Sequence, residues 1–299
     1  MKIKITGTGS YIPEIIKKNS DFAKKNFYDI DGKAIDTPTE IIVEKFKAIT
    51  GISERRYAKE NLSTSDLGAI AAKKAISDAK INPETIDYII CAHNFGDVKT
   101  NAIQSDILPC LAARIKHILK IKNPKCIAYD ILFGCPGWVE GVIQANAFIK
   151  AGMAKKCLVI GAETLSRVVD EFDRDSMIYA DGAGASIIEL SNDSSGIISH
   201  ESASFTYDEV YHLFFGNSNN KKQDNDVRFI KMYGRKIYEF ALSNVPNALK
   251  ECLDNSGYQI DDVKKILIHQ ANEKMDEAII KRFYRLYKKP VPKGVMPMT

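Results

Sequence analysis

The spacing of hydrophobic positions along the chain predicts alternating strands and helices. Short apolar runs are typical of buried strands, and apolar residues at three- and four-residue spacing are typical of helices. These patterns predict strands at 3–6, 86–92, 126–133, 157–161 and 263–269, and one entered through the small residues of 179–188. They predict helices at 38–49, 64–80, 102–120, 231–256 and 273–288, and one starting just after Cys135. A polar stretch, 216–226, is predicted as a surface loop. This alternation favours the α/β class.

Two parts of the chain repeat one plan. In each, a long helix leads through an acidic turn into a strand that ends in histidine, His93 in the first case and His269 in the second. A repeat of this size indicates two similar α/β halves. We place them at 1–190 and 191–299.

Composition restricts the class of protein. The chain has 299 residues, 45% hydrophobic and 27% charged, with a net charge of +4 that does not by itself favour nucleic acid binding. No C-x-x-C pair occurs, so neither a zinc ribbon nor a thioredoxin-type site is indicated. Residues 1–5 alternate like a strand rather than a signal peptide, and no apolar run approaches the length of a membrane span. We therefore expect a soluble, cytoplasmic protein with reduced thiols.

The main candidate for chemistry is Cys135. It follows the apolar run 126–133 and precedes Pro136, a residue that suits the first turn of a helix. A thiol at a helix N-terminus gains thiolate character from the helix dipole and the free N–H groups. Such a cysteine can act as a nucleophile. The alternative is that Cys135 is one more buried small residue.

Two other motifs are weak. Gly7 and Gly9 follow a strand as in dinucleotide-binding loops, but Ile12 stands at the third glycine position and Pro13 follows it. Cys91 and His93 share one strand face, which is a poor metal site by itself and is typical of core packing.

A polar motif and a basic helix close the chain. His269-Gln270-Ala271-Asn272 follows the last predicted strand, at the kind of strand end where α/β proteins place their chemistry. In the helix behind it, Lys274, Lys281, Arg285 and Lys288 fall on one face. A solvated face is the simpler interpretation, and a docking surface for an acidic partner is the alternative.

Together, the Cys135 segment and the His-Gln-Ala-Asn motif resemble the thiolase superfamily, and most closely the β-ketoacyl-acyl-carrier-protein synthase III family. Further similar segments are 5–14, 50–56, 173–174 and 181–185. The resemblance implies a layered αβαβα fold, normally a homodimer, and a ping-pong reaction without metal or organic cofactor. Acyl-CoA and malonyl-acyl-carrier protein, both phosphopantetheine thioesters, would be the substrates.

The resemblance also implies residue roles. Cys135 would carry the acyl group, and His269, with an asparagine partner, would stabilise the enolate of the decarboxylated malonyl group. Arg174 would contact the coenzyme A adenine, and Asn272 would lie near the pantetheine arm. The carrier protein would dock on Lys274, Lys281, Arg282 and Arg285.

Three features depart from the family pattern. Cys135 is followed by Pro136-Gly137-Trp138, so Trp138 is expected to reshape the acyl pocket. The helix at 38–49 lacks the tryptophan that stacks on adenine. The chain ends at Thr299, where the family enters a Gly-Asn turn, so we expect the asparagine partner, a Gly-rich loop and the last strands to be missing. These departures leave two alternatives open: a secondary-metabolism enzyme that joins two acyl chains or makes a resorcinol-type product, and a non-catalytic protein that binds acyl groups or carrier protein.

Overall fold

The computed structural model describes residues 2–102, 104–223 and 226–297. The strands are β1 (Lys2–Tyr11), β2 (Ile15–Lys18), β3 (Glu54–Tyr57), β4 (Tyr88–His93), β5 (Asp97–Val98), β6 (Ser105–Asp106), β7 (Ile127–Leu132), β8 (Lys156–Thr164), β9 (Asp181–Ser191), β10 (Leu213–Asn217) and β11 (Arg228–Met232). The helices are α1 (Thr39–Thr50), α2 (Thr64–Ala79), α3 (Leu111–Ile118), α4 (Gly137–Lys150), α5 (Gly234–Ser256) and α6 (Glu273–Leu286). The predicted α/β class is confirmed.

The chain forms two compact units, each built from separated segments. The first takes residues up to 16, 56–168 and 180–197, and the second takes 17–55, 169–179 and the residues from 198 onward. The predicted halves, 1–190 and 191–299, stay a prediction. No helix in the described part of the chain is long and apolar enough to cross a membrane.

The first unit is built on a five-stranded mixed sheet in the order β1-β9-β8-β4-β7. Strands β8, β4 and β7 are parallel, whereas β9 runs antiparallel to both β1 and β8. Successive side chains of a strand point to opposite faces. In β4, Ile89 and Cys91 accordingly lie in one hydrophobic cluster and Ile90 in another. Both faces of the sheet are therefore covered.

Helices cover the two faces of this sheet. Helices α2 and α3 pack in the cluster on one face, and α4 packs in the cluster on the other. Gly7 and Gly9 lie in β1 beneath α2, where an added Cβ would come within 2.4 Å and 2.2 Å of the carbonyl oxygens of Ala75 and Ala71. These glycines serve close strand–helix packing, which agrees with the rejection of a dinucleotide-binding loop.

The predicted helix at 102–120 is wrong in its first half. Helix α3 begins only at Leu111, and β6 lies within the predicted span. Because a proline disfavours helical backbone in the residue before it, Pro109 prevents a helix from running through Leu108. Ile103 lies outside the described residues.

The second unit contains α1, α5, α6 and the antiparallel pair β10–β11. Helices α5 and α6 pack through a cluster that includes Ile280, Phe283 and Tyr284 of α6 and Leu249 of α5. The predicted helix at 231–256 begins instead at Gly234, because 228–232 form strand β11.

The predicted surface loop at 216–226 is wrong where it begins. Ser218 and Asn219 are buried. The Ser218 hydroxyl and the Asn219 backbone N–H both donate to Asp170, at 3.0 Å and 2.7 Å. The buried ammonium of Lys231 also donates to Asp170. The buried carboxylate thus draws polar neighbours inward. Residues 224 and 225 lie outside the described part.

Candidate functional site

Cys135 lies in the turn between β7 and α4, as predicted. The backbone N–H of Phe133 donates to the carbonyl of His93 at 3.2 Å, and that of Gly137 donates to the carbonyl of Gly134 at 2.8 Å. Pro136 is the N-cap of α4 rather than its first helical residue. The Cys135 side chain is exposed. An exposed thiol just before a helix N-terminus lies where the dipole favours the thiolate.

Glycines let α4 lie close to the sheet. A Cβ on Gly137 would lie 2.8 Å from the Cβ of Ala92 in β4, and one on Gly141 would lie 2.7 Å from Val159 in β8. This close approach fixes the start of α4 over the ends of the parallel strands. The position of Cys135 is therefore set by the sheet and not by the turn alone.

Trp138 belongs to the same unit as Cys135. It is half-buried and packs against the cluster beneath α4. The Cβ position of Gly161 in β8 lies 3.5 Å from the Cβ of Trp138, which is ordinary contact. The idea that Trp138 shapes an acyl pocket stays a prediction.

A buried histidine–aspartate pair adjoins this turn. The Nδ1 of His93 accepts from the N–H of Gly96 at 3.0 Å, so its Nε2 carries the proton and donates to Asp130 at 2.8 Å. Asp130 also accepts the N–H groups of Leu111 and Ala112 at the start of α3. Burial alone would raise the pKa of Asp130, but these bonds hold it below its usual value. His93 is therefore satisfied within the core, as expected.

Sequence reasoning missed a second polar pair at this edge. The backbone N–H and the side-chain amide of Asn94 both donate to one carboxyl oxygen of Glu163, the amide at 2.6 Å. Burial raises the pKa of Glu163 to about 7, although the bonds from Asn94 oppose the shift. Position was the sequence signal, since each residue follows closely on the end of a predicted strand, 86–92 for Asn94 and 157–161 for Glu163.

Arg174 lies in the second unit, in the short 3-10 segment Arg174–Ile178. Its side chain is 60% exposed, and its Nε lies 3.9 Å from the carboxylate of Asp175. Burial raises the pKa of Asp175 to about 6, and the neighbouring charge of Asp173 adds to the shift. Asp173 caps the segment by accepting from the Asp175 N–H at 3.0 Å, and it also accepts from Lys231 at 3.2 Å. Arg174 is therefore presented to solvent by a segment whose capping residue, Asp173, is held by Lys231.

His269 lies in the second unit too, but the strand predicted to end there is wrong. Residues 263–272 have no regular secondary structure. The N–H of Ile266 donates to Val295 at 2.8 Å, and the amide of Gln270 donates to Pro297 at 3.0 Å. A strand needs a ladder of such bonds to a neighbouring strand, and Val295 lies in a turn. His269 is exposed on this segment.

Asn272 caps α6. Its side-chain oxygen accepts from the backbone N–H of Met275 at 3.0 Å, a typical N-cap bond. One turn further, Asp276 is buried, and burial raises its pKa to about 6 while the charge of His269 acts in the opposite direction. The start of α6 therefore combines a cap, a buried carboxyl and the neighbouring histidine.

The predicted basic face of α6 is exposed. Lys274, Lys281 and Arg285 of the face predicted from spacing, and the predicted docking residue Arg282, are exposed on the helix. Lys288 is exposed too but lies beyond the end of α6 at Leu286, so its place on the helical face is wrong. The buried face carries Ile279, Ile280, Phe283 and Tyr284. The guanidinium of Arg282 also donates to the carbonyl of Leu242 at 2.9 Å. Lys281 and Arg285 border a groove of about 710 Å³ that continues to residues 288–296.

The residues proposed from sequence thus fall into two groups. Cys135 and Trp138 lie in the first unit, whereas Arg174, His269, Asn272 and the basic face lie in the second. In the described part of the chain, no three His, Cys, Asp or Glu side chains are grouped so that they could hold a metal ion.

Comparison with known proteins is consistent across sequence and structure. The family model of 3-oxoacyl-[acyl-carrier-protein] synthase III matches residues 129–204. The β-ketoacyl-[acyl-carrier-protein] synthase III of Neisseria gonorrhoeae is 35% identical over 279 residues, which cover 93% of this chain and 80% of that protein. The enzyme of the same name from Clostridium acetobutylicum is 36% identical over 284 residues, covering 94% and 80%.

A solved structure gives the same result. The crystal structure of 3-oxoacyl-[acyl-carrier-protein] synthase III from Aquifex aeolicus matches with a TM-score of 0.75 and 30% identity, over 98% of this chain and 83% of that one. The thiolase-like fold is thereby confirmed.

Proposed function

Because the chain belongs to the β-ketoacyl-[acyl-carrier-protein] synthase III family, we propose that it condenses an acyl-CoA with malonyl-acyl-carrier protein. The reaction is a decarboxylating Claisen condensation that lengthens the acyl chain by two carbons, in fatty acid or related biosynthesis. It requires neither a metal nor an organic cofactor.

Cys135 is the nucleophile of this proposal. Its thiolate attacks the acyl-CoA carbonyl, the carbon–sulfur bond to coenzyme A breaks, and the acyl group remains as a thioester on Sγ. The exposed thiol at the end of a parallel strand and the start of α4 is the single observation that carries the assignment. A thiol buried in the core could not reach a substrate.

His269 acts in the second step. When the malonyl group loses CO₂, the electron pair of the broken carbon–carbon bond forms an enolate, and the His269 imidazole stabilises its oxygen. The enolate carbon then attacks the acyl thioester, and the Cys135 thiolate leaves. The exposure of His269 supports this role, because the imidazole is accessible to a substrate.

Three residues are assigned to substrate binding. Arg174 is exposed and contacts the adenine of coenzyme A. Asn272 uses its oxygen as the cap of α6, so its contact to the pantetheine arm comes from its NH₂ group. Trp138, the second residue of α4 and three residues after Cys135, borders the acyl group.

The carrier protein docks on the basic face of α6. Lys274, Lys281, Arg282 and Arg285 are all exposed along one side of the helix. The family resemblance implies an acidic carrier protein, and a surface of one sign steers a partner of the opposite sign. Exposure and charge together support the interpretation as a docking surface rather than as a solvated helix face without a partner.

The protein acts as a homodimer. Strand β7 is an edge of the five-stranded sheet. Ile127, Leu132 and Phe133, along this edge, are 47%, 66% and 44% exposed. An edge strand with exposed apolar side chains is suited to pairing with another chain. Light scattering should give twice 33.4 kDa, and Leu132→Lys should shift the mass toward that of one chain.

The experiment that tests the reaction is the assay of 3-oxoacyl-carrier protein and CO₂ from a series of acyl-CoAs and malonyl-carrier protein. Wild type should form both in equal amounts. His269→Ala should retain most acylation but lose condensation. Absence of product with every acyl donor would reject the proposal, and equal loss of both steps would reject the role of His269.

A further inference from the structure

Asn94 and Glu163 form a polar bridge beside the turn that carries Cys135. Strands β8, β4 and β7 are neighbours and run parallel, so their carboxyl ends lie at one edge of the sheet. Asn94 directly follows β4, Glu163 lies one residue before the end of β8, and Gly134 follows β7. The three residues therefore meet at the same edge.

The hydrogen bonds fix the direction of the Asn94 side chain. Its backbone N–H and its Nδ2 both donate to the same Glu163 oxygen. Gly134 lies beside this amide, since a Cβ added there would lie 3.2 Å from the Asn94 oxygen. Asn94 also directly follows His93, whose carbonyl accepts the N–H of Phe133 at 3.2 Å, two residues before Cys135. Through Asn94 and the end of β4, Glu163 is thus linked to the turn that carries Cys135.

We propose that Glu163 is a positioning residue for Cys135, which it holds in place through Asn94 and the end of β4. The relevance of this bridge to condensation rests on the proposed function. The effect of the bridge on the Cys135 thiol is independent of the proposed function, because the bridge and Cys135 belong to the same compact unit.

The bridge works in both protonation states of the carboxyl. Burial and the charge of Asp181 raise the pKa of Glu163, while Asn94 and the charge of His93 oppose the shift. A protonated carboxyl still has an oxygen that accepts two N–H bonds, with its proton on the other oxygen. A glutamine side chain offers the same acceptor, so Glu163→Gln should preserve the bridge.

The test is the rate at which iodoacetamide alkylates Cys135, followed by peptide mass spectrometry so that the other cysteines do not contribute. Glu163→Ala and Asn94→Ala should each slow the reaction about tenfold at pH 7, because the thiol leaves its place at the start of α4. The midpoint of the pH–rate profile should also move to higher pH. Glu163→Gln should stay within about twofold of wild type.

A double variant tests the route. If Glu163 acts through Asn94, the combined Asn94→Ala and Glu163→Ala variant should be no slower than either single variant. Glu189→Ala is the matched control, since Glu189 bonds Thr6 on the same sheet near the opposite end of β8. It should alkylate at the wild-type rate.

Three results would overturn the proposal. Glu163→Ala could alkylate at the wild-type rate, or the double variant could be slowed by the product of the two single-variant factors. Glu163→Gln could also be slowed as much as Glu163→Ala. If Glu163→Ala does not fold, Glu163→Met serves the same comparison with a side chain of similar length and no strong acceptor. Because alkylation uses no substrate, a protein that follows these rates yet forms no 3-oxoacyl product would reject the proposed function alone.

Discussion

Replacing Asp276 with asparagine should make the protein increasingly stable relative to wild type as the pH rises from 4 to neutral. Asp276 is 1% exposed, and within the described residues neither carboxyl oxygen has a hydrogen-bond partner. A buried carboxylate without partners is costly. The side chain accordingly binds its proton more tightly in the folded protein, with a pKa of about 6 against an ordinary 3.8.

The magnitude follows from that difference in pKa. A pKa raised by folding means that the folded state holds the proton better, so the free energy of unfolding falls as the pH rises from about 4 to about 6 and is level above. The difference of about two pH units between 3.8 and about 6 corresponds to about 3 kcal/mol at about 1.4 kcal/mol per unit. Asp276→Asn cannot ionise and escapes this loss.

Urea unfolding followed by circular dichroism, at several pH values from 4 to 7.5, measures the effect. The free energy of unfolding of Asp276→Asn minus that of wild type should increase by about 2 to 3 kcal/mol across this range, since part of the effect is already present at pH 4. The buried amide adds a constant offset, so the change with pH is the diagnostic quantity. Glu277→Gln, at the next and exposed position of α6, is the control and should show little change. A difference for Asp276→Asn that is flat or falls with pH would refute the reasoning.

Three further predictions concern packing, capping and docking. Gly9→Val should lower the free energy of unfolding by about 3 kcal/mol or more, because its Cβ would lie 2.2 Å from the Ala71 carbonyl oxygen, and unchanged urea unfolding would contradict that contact. Ser63→Ala should cost about 1 kcal/mol in the same assay, since Ser63 forms a capping box on α2, and no loss would mean that the cap is dispensable. Lys281→Glu combined with Arg285→Glu should raise the KM for malonyl-carrier protein at least several-fold with the KM for acyl-CoA unchanged; equal effects on both would argue against docking there.

Local patterns predicted the elements that carry Cys135. The apolar run before Gly134 and the helical spacing after Pro136 are contained in about twenty consecutive residues, and β7 and α4 form where expected. The capped helix α2 was predicted for the same reason. In both cases the sequence signal and the structure depend on near neighbours.

Features that depend on distant partners were not predictable. Ser218 and Asn219 are buried because Asp170, almost fifty residues earlier in the chain, accepts their hydrogen bonds. The apolar segment before His269 has strand composition, but composition does not supply a neighbouring strand. Asn94 and Glu163 are 69 residues apart, and only the parallel pairing of β4 with β8 brings them together.

The most direct test of the account is the intact mass of the protein after exposure to a series of acyl-CoAs. We expect one acyl adduct on the wild-type chain and none on Cys135→Ala, since the thioester forms on Cys135. The acyl group that reacts fastest would identify the donor. An adduct that persists in Cys135→Ala, or a wild-type protein that no acyl-CoA modifies, would contradict the assignment of Cys135 as the nucleophile.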